Sequence, residues 1–204
     1  MSNNFEMIVL FPVPLLKIKF KHHYKYNFPE VEKKDQKPNG WVDSVHTTFD
    51  NISDDDSLVP PIVRDSLKRD LKSSIVEVFQ ELNFPTTIEF PQLWYNIYHD
   101  NQGQELHDHL SLVGHPVIFW SGIYYNKNAS PTQFCRSDKL YQTQLFNGYQ
   151  ESALGSCLAT AQRQPVEDGD ILLFPPYLEH TVKSQPHHKD KMRMTFSFNI
   201  ALKP

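Results

Sequence analysis

The sequence has few cysteines, no excess of basic charge and no long apolar run. Its only cysteines, Cys135 and Cys157, exclude a disulfide framework, and reduced thiols are expected. Twenty Lys and Arg residues against 24 Asp and Glu residues give a net charge of −4, which disfavours binding to nucleic acid. No window approaches the roughly 18 apolar residues of a membrane-spanning helix. With no signal peptide either, a soluble cytoplasmic protein without a membrane partner is expected.

The hydrophobic content, 39% with 13% aromatic residues, is enough for one domain with its own core. Residues 1–204 are therefore expected to form a single domain. Within it, residues 1–90 should supply N-terminal strands, loops and a packing helix. The helix is predicted from Pro60-Pro61 to about Asn83, because apolar residues recur there at three-to-four spacing between charged ones.

After Pro85 the sequence becomes typical of β-structure, with short β-branched or aromatic runs bounded by turn residues. Many short strands beside one helix predict a mainly β fold of the jelly-roll type. Lys127 to Gly155 is predicted to be a long insertion with one strand near Thr132 to Arg136. The other strand-like runs are Leu93–His99, Val117–Tyr125, Cys157–Gln162, Ile171–Phe174, His180–Ser184 and Met192–Ile200.

Two histidines separated by one residue indicate a metal site. On a strand, alternate residues share a face, so His107 and His109 would present two imidazoles to one ion while Asp108 points away. Neutral imidazole suits iron, zinc, copper and nickel. A third ligand must come from elsewhere in the fold. His180 is the best candidate, because it follows a buried strand and a proline-stiffened turn that can bring it beside the first pair.

The strand after His180 has a polar face and an apolar face. Arginine's planar fork can bind a carboxylate through two hydrogen bonds, and a threonine hydroxyl can add another. Arg193 and Thr195 could therefore hold an anion in a pocket. The alternative is a solvent-facing strand whose arginine pairs with a surface acid. The predicted polar face comprises Arg193, Thr195, Ser197 and Asn199, and the apolar face comprises Met194, Phe196, Phe198 and Ile200.

In their order and spacing, these motifs resemble the Fe(II)/2-oxoglutarate-dependent oxygenases, most of all a small branch found in bacteria and marine phages. The resemblance covers residues 93–200 well and the first 90 residues thinly. Its motifs are Trp94-Tyr-Asn-Ile-Tyr, His107-Asp-His109, Ser121-Gly-Ile-Tyr-Tyr, Gly169-Asp-Ile-Leu-Leu-Phe-Pro with His180, and Arg193-Met-Thr-Phe-Ser-Phe-Asn.

The resemblance implies a double-stranded β-helix, a cupin-like jelly roll, in residues 91–204. It also implies Fe(II) and 2-oxoglutarate as cofactors, with hydroxylation of a substrate and release of succinate and CO2. By position, His107 and His180 would be iron ligands. Arg193 with Thr195 would hold the distal carboxylate of 2-oxoglutarate, and Tyr98 could reach the same carboxylate.

The same resemblance bears on partners and location. Distant similarity to prolyl hydroxylases implies a peptide or protein side chain as substrate, with a small molecule as the other class. The oligomeric state stays open, and a homodimer is one option. A phage origin would place the protein in the host cytoplasm.

One position departs from the usual His-x-Asp or His-x-Glu of the superfamily, because the third residue here is His109. An imidazole in place of a carboxylate leaves the site one negative charge short, which should weaken iron binding or change reactivity. We take His109 as the ligand. Two alternatives stay open: Asp108 ligates if the strand kinks, or His109 is the first ligand and Ser111 leaves an open position.

Two other functions also stay open. One is a cupin-like enzyme with three histidines that does not use 2-oxoglutarate, and the other is a non-catalytic jelly-roll binding or structural protein. A buried Arg193 beside the metal ligands would favour the 2-oxoglutarate enzyme. Five aromatic residues could line an entrance, although the core is their ordinary place. They are Trp94, Trp120, Tyr124, Tyr125 and Phe134.

Overall fold

The structure is a computed structural model that describes residues 13–33, 38, 41–49, 58–110, 117–136, 161–184 and 191–203. Several predicted features therefore lie outside the described residues: Ser111, Cys157 and most of the predicted insertion. Cys135 is a buried free thiol.

The described residues form one α-helix and ten strands. Helix α1 is Pro61–Glu81, and a short 3-10 turn covers His23–Lys25. The strands are β1 (Leu16–Lys19), β2 (His46–Thr47), β3 (Ile88–Tyr98), β4 (Gln104–His107), β5 (Ile118–Lys127), β6 (Gln133–Cys135), β7 (Ala161–Arg163), β8 (Asp170–Phe174), β9 (His180–Val182) and β10 (Arg193–Leu202).

Two antiparallel sheets face each other. The larger sheet has the order β1-β8-β5-β10-β3-β2, and the smaller has the order β4-β9-β6-β7. Phe134 on the small sheet and Phe174 on the large one meet with ring centroids 5.1 Å apart. This is the predicted mainly β jelly roll with a flanking helix, a double-stranded β-helix. The N-terminal part of the chain supplies β1, β2 and α1.

Helix α1 agrees with its prediction in position and in role. Proline occupies its first turn, where no backbone N–H is needed. It ends as Asn83 takes a φ of 55° and the N–H of Phe84 bonds to the carbonyl of Phe79 at 2.8 Å. No helix in the described part of the chain has the length and hydropathy that crossing a membrane requires. The fully buried face of α1 consists of Leu67, Leu71, Ile75 and Phe79.

Strand β10 lies between β3 and β5 and is buried on both sides. Its apolar side chains, Met194, Phe196, Phe198 and Ile200, belong to the same core as α1. The packing there is close: a Cβ added to Gly122 on β5 would overlap the ring of Phe198. The polar side chains of β10 therefore point the other way, into the space between the two sheets.

Candidate active site

Three imidazoles meet between the sheets. His107 ends β4 and His180 begins β9, and the two residues are direct cross-strand partners. His109 lies two residues after His107 in the chain. One ring nitrogen from each histidine lies within 4.8 Å of the others. The ring centroids are 4.2 Å apart for His107 and His180, 5.0 Å for His109 and His180, and 5.4 Å for His107 and His109. The three rings are close enough to share one ion.

Two of the histidines are held by backbone carbonyls two residues earlier in the chain. His107 Nδ1 lies 2.8 Å from the carbonyl oxygen of Glu105, and His180 Nδ1 lies 3.0 Å from that of Leu178. A carbonyl can only accept, so the proton of each ring is on Nδ1 and the lone pair is on Nε2. In agreement, the amide nitrogen of Gln104 lies 3.2 Å from His107 Nε2 as a donor.

His109 is held differently. Its Nδ1 lies 2.9 Å from Asn199 Oδ1 and 2.8 Å from Ser121 Oγ, both on the large sheet. Its backbone N–H donates to the carbonyl of Pro176 at 2.8 Å. These contacts place the third ring across the gap between the sheets, so the site is assembled from both.

All three rings favour the neutral form. Burial lowers the pKa of His107 and holds that of His180 well below its usual range. Burial, reinforced by the nearby His107 ring, lowers the pKa of His109 to about 4. A metal-binding imidazole has to be deprotonated at one nitrogen, so this environment removes proton competition near neutral pH.

The strand does not continue through both histidines as predicted. β4 ends at His107, and His109 lies beyond it in irregular backbone. The expectation that one strand carries both residues is therefore wrong at its end, although both rings reach the same space. Asp108 is exposed, and its Oδ1 accepts the N–H of Leu110 at 3.0 Å. Asp108 lies outside the group of donors that the three histidines form.

Arg193 is buried next to the histidines and has no acidic partner in the described part of the chain. It is 1% exposed, and its Nη2 donates to the carbonyl of Ser130 at 3.0 Å. Its Nε and Nη1 have no hydrogen-bond partner among the described residues. The guanidinium carbon lies 4.8 Å from the ring centre of Tyr98 and 5.8 Å from that of Tyr125. A buried cation with two free donors is costly unless an anion joins it.

The histidines and the arginine line the same pocket. The pocket contains about 280 Å³ of empty space, open solvent included. Its walls come from both sheets. The lining residues are Trp94, Tyr98, Gln104, His107, His109, Ile123, Thr132, His180, Val182, Arg193, Thr195 and Ser197.

A family model described as "Putative 2OG-Fe(II) oxygenase" matches residues 92–199, slightly more than half of the chain. The chain belongs to the 2OG-Fe(II) oxygenase family. A comparison with curated proteins finds no significant match.

Two solved structures of HygX share the fold. HygX from Streptomyces hygroscopicus with nickel and 2-oxoglutarate bound has a TM-score of 0.52 at 13% identity, covering 94% of this chain and 84% of that one. HygX with nickel, 2-oxoglutarate and hygromycin B gives 0.52 at 12% identity and the same coverage. A Pseudomonas putida prolyl-4-hydroxylase gives 0.48 at 9% identity, covering 82% of this chain and 78% of that one.

The residues of this oxygenase suit the two cofactors of its family. Three clustered imidazoles that favour the neutral form are a donor set that Fe(II) accepts. The orphaned Nε and Nη1 of Arg193 are free donors for a carboxylate such as the one at the far end of 2-oxoglutarate. Fe(II) and 2-oxoglutarate are therefore its cofactors.

Of the aromatic candidates, only Trp94 lines the pocket of the oxygenase. Trp120 packs against Phe79 and Phe84 on the helix side, and Tyr124 belongs to the same core. Tyr125 and Phe134 lie in a second core cluster, the one that contains Phe174.

Sequence reasoning assigned no role at the metal site to three polar residues. Gln104 contacts His107, and Ser121 and Asn199 contact His109. A signal existed for Asn199, because it continues the alternation that begins at Arg193. Nothing in the sequence alone indicated which ring it would meet.

Proposed function

We propose that this oxygenase hydroxylates its substrate at an iron held by Nε2 of His107, His109 and His180, with Arg193 binding 2-oxoglutarate. One observation carries the proposal: a buried guanidinium with two free donors shares a pocket with three neutral imidazoles. When bound, the iron and 2-oxoglutarate supply oxidative decarboxylation to succinate and CO2 coupled to oxygenation of a substrate C–H bond.

Arg193 acts as the anion clamp of this pocket. Ser130 accepts one hydrogen bond from Nη2, which leaves the N–H groups of Nε and Nη1 free to donate to a carboxylate. The rings of Tyr98 and Tyr125 lie over the guanidinium and exclude water from it. The low dielectric that makes the lone cation costly also strengthens its attraction for a diacid.

Thr195 and Tyr98 complete the clamp with hydroxyl donors. Thr195 is buried on the same face of β10 as Arg193. Tyr98 is the cross-strand partner of Arg193. The hydroxyl of Tyr98 donates to Gln104 Oε1 at 3.1 Å. Burial raises the pKa of Tyr98 to about 12, so the hydroxyl keeps its proton near neutral pH and can donate to an anion.

The buried arginine also separates this proposal from the cupin-like alternative. An unpaired guanidinium inside the pocket lowers stability unless an anion joins it, and 2-oxoglutarate supplies that anion whereas a neutral substrate of a three-histidine enzyme does not. The solvent-facing alternative for the β10 face is excluded, because Arg193, Thr195 and Ser197 are all buried.

We propose a peptide side chain or a small molecule as the substrate class. Aromatic rings flank two of the histidines: Trp41 lies 6.3 Å from His107 and Trp94 lies 5.8 Å from His109, centre to centre. Trp94, which lines the pocket, suits a compact group with an apolar face. HygX, which shares the fold, has been crystallised with hygromycin B, and this supports a small molecule as one arm of the substrate search.

The first test is anaerobic titration of the purified protein with Fe(II) and 2-oxoglutarate. A visible charge-transfer band is expected, because a 2-oxo acid chelated to Fe(II) absorbs there. Arg193→Ala should raise the 2-oxoglutarate concentration needed for the band and leave Fe(II) binding intact. Asp108→Ala is the matched control and should change neither.

Three outcomes would contradict the assignment. Fe(II) binding without a band at saturating 2-oxoglutarate would favour the cupin-like enzyme. Loss of Fe(II) binding in Arg193→Ala would mean that the arginine supports the metal site instead. Loss of Fe(II) in Asp108→Ala would make the aspartate a ligand. Succinate release against a panel of peptides and small metabolites then identifies the substrate.

A further inference from the structure

The three site histidines are not supported in the same way. His107 and His180 each donate Nδ1–H to the backbone carbonyl two residues earlier in the chain. Within the described part of the chain no backbone carbonyl bonds to the ring of His109, which instead contacts side chains of the opposite sheet. Its orientation therefore depends on side-chain chemistry that a single substitution can remove.

The contacts of His109 belong to a row of polar side chains across three strands. Asn199 on β10 is the direct cross-strand partner of Gln92 on β3 and of Ser121 on β5. Asn199 Nδ2 donates to Gln92 Oε1 at 2.6 Å, and Ser121 Oγ donates to Asn199 Oδ1 at 2.8 Å. Asn199 is 5% exposed and Ser121 is 0% exposed. We name Gln92, Asn199 and Ser121 the polar row.

The polar row determines where the proton of His109 lies. Because the NH2 of Asn199 is used by Gln92, its carbonyl oxygen faces His109 and Ser121. That oxygen can only accept, and it lies 2.9 Å from His109 Nδ1. The ring must therefore donate from Nδ1, which leaves the lone pair on Nε2, the same arrangement that the backbone imposes on His107 and His180.

We propose that Asn199 is a positioning residue that fixes His109 as the Nδ1–H tautomer and directs its Nε2 to the metal. The proposal rests on the function proposed above, in which His109 is a ligand. A neutral amide also leaves the charge of the site unchanged. A carboxylate at position 199 would place a negative charge directly behind the ligand, and such outer partners change metal affinity by roughly 10–100-fold.

The first experiment needs no metal. Long-range ¹H–¹⁵N correlation spectra of the metal-free protein with labelled histidine report which ring nitrogen carries the proton. His109 should be the Nδ1–H tautomer in the wild type and shift toward Nε2–H in Asn199→Leu. An Nε2–H signal in the wild type, or an unchanged Nδ1–H signal in Asn199→Leu, overturns the proposal.

The second experiment measures Co(II) affinity. Asn199→Leu should weaken Co(II) binding about 10–100-fold, and Asn199→Asp should bind at least as tightly as the wild type. Asn96→Leu is the matched control. Asn96 is also buried on the large sheet, but it bonds to Thr47 and Ser197 and not to a histidine. It should lose stability and keep its Co(II) affinity.

The outcomes separate the two proposals. Equal Co(II) affinity in Asn199→Leu and Asn96→Leu would show that Asn199 only stabilises the sheet, and would overturn its positioning role. If the wild type binds no Co(II), the ligand assignment fails and Asn199 directs nothing toward a metal. The tautomer spectra would still decide whether Asn199 sets the protonation site of His109.

Discussion

The two faces of β10 are equally buried and chemically opposite. Met194, Phe196, Phe198 and Ile200 pack into the helix-side core, whereas Arg193, Thr195, Ser197 and Asn199 face the space between the sheets. Burial alone therefore does not distinguish the core of this oxygenase from its active site. Side-chain chemistry does, because polar groups lower stability when buried without partners and are kept where a ligand or another functional group uses them.

The buried charges of the two regions show the same contrast. On the helix side, Asp70 bonds to Lys25 Nζ at 3.0 Å and to Tyr26 Oη at 2.9 Å. On the pocket side, Arg193 has a carbonyl and two aromatic rings but no acid in the described part of the chain. The first charge is compensated by the protein itself. The second is compensated when a carboxylate enters.

The largest effect on stability should follow from a truncation on the core face. Phe196 is 2% exposed and packs against Phe28 and Tyr124. Phe196→Ala should lower the free energy of unfolding by about 3–5 kcal/mol through lost burial and a cavity. Urea unfolding measures this. The folded fraction should keep its 2-oxoglutarate affinity, and a selective loss of affinity would mean that the two faces are coupled.

The pocket face should respond in the opposite way. Arg193→Met keeps much of the side-chain volume and removes an uncompensated buried charge, so the metal-free protein should be as stable as the wild type or more so. Its 2-oxoglutarate affinity should fall about 100-fold, ~2.7 kcal/mol. The measurement is the increase in melting temperature on adding 2-oxoglutarate with Co(II). A destabilised apo protein that keeps this increase would refute the contrast.

Sequence patterns predicted which side chains meet in the site, but not how the third histidine is supported. Alternation along β10 predicted its two faces, and the His-x-His pair with His180 predicted which rings would meet. The support of His109 by Asn199 depends on how two sheets face each other, which no local pattern encodes. The same is true of Trp94 and Trp120: both are strand aromatics, and only sheet packing places one in the pocket and the other under the helix.

The end of β4 at His107 was beyond prediction for a related reason. Strand ends are set by which hydrogen-bond partners the neighbouring strand still offers, and β9 begins at His180, opposite His107. Beyond that point, the backbone of His109 bonds to Pro176 instead. Alternation still identified the right pair of histidines, because His109 stays beside the segment that leads into β9.

A smaller effect on the pocket face should come from one hydroxyl. Thr195→Val keeps the shape of the side chain and removes the proposed hydrogen bond to the carboxylate of 2-oxoglutarate. The affinity should fall about tenfold, ~1.4 kcal/mol, with little change in apo stability. Titration calorimetry with Co(II) present measures it. If Arg193→Met and the Thr195→Val/Arg193→Met double variant lost the same 2-oxoglutarate affinity, the hydroxyl would contribute only with the guanidinium in place.

The smallest effect tests the compensated charge. Burial raises the pKa of Asp70, but the hydrogen bonds from Lys25 and Tyr26 outweigh it and hold the pKa below its usual range. A lowered folded-state pKa means that this carboxylate stabilises the fold above the unfolded-state pKa and stops doing so as the pH falls through the folded-state value. Asp70→Asn should therefore cost about 0.5–1 kcal/mol at pH 7 and progressively less as the pH falls through the folded-state pKa, measured by urea unfolding. The stability difference for Arg193→Met should not change with pH in this way, because a guanidinium keeps its charge throughout. If the stability differences of both variants changed with pH in the same way, the contrast between the two buried charges would be wrong.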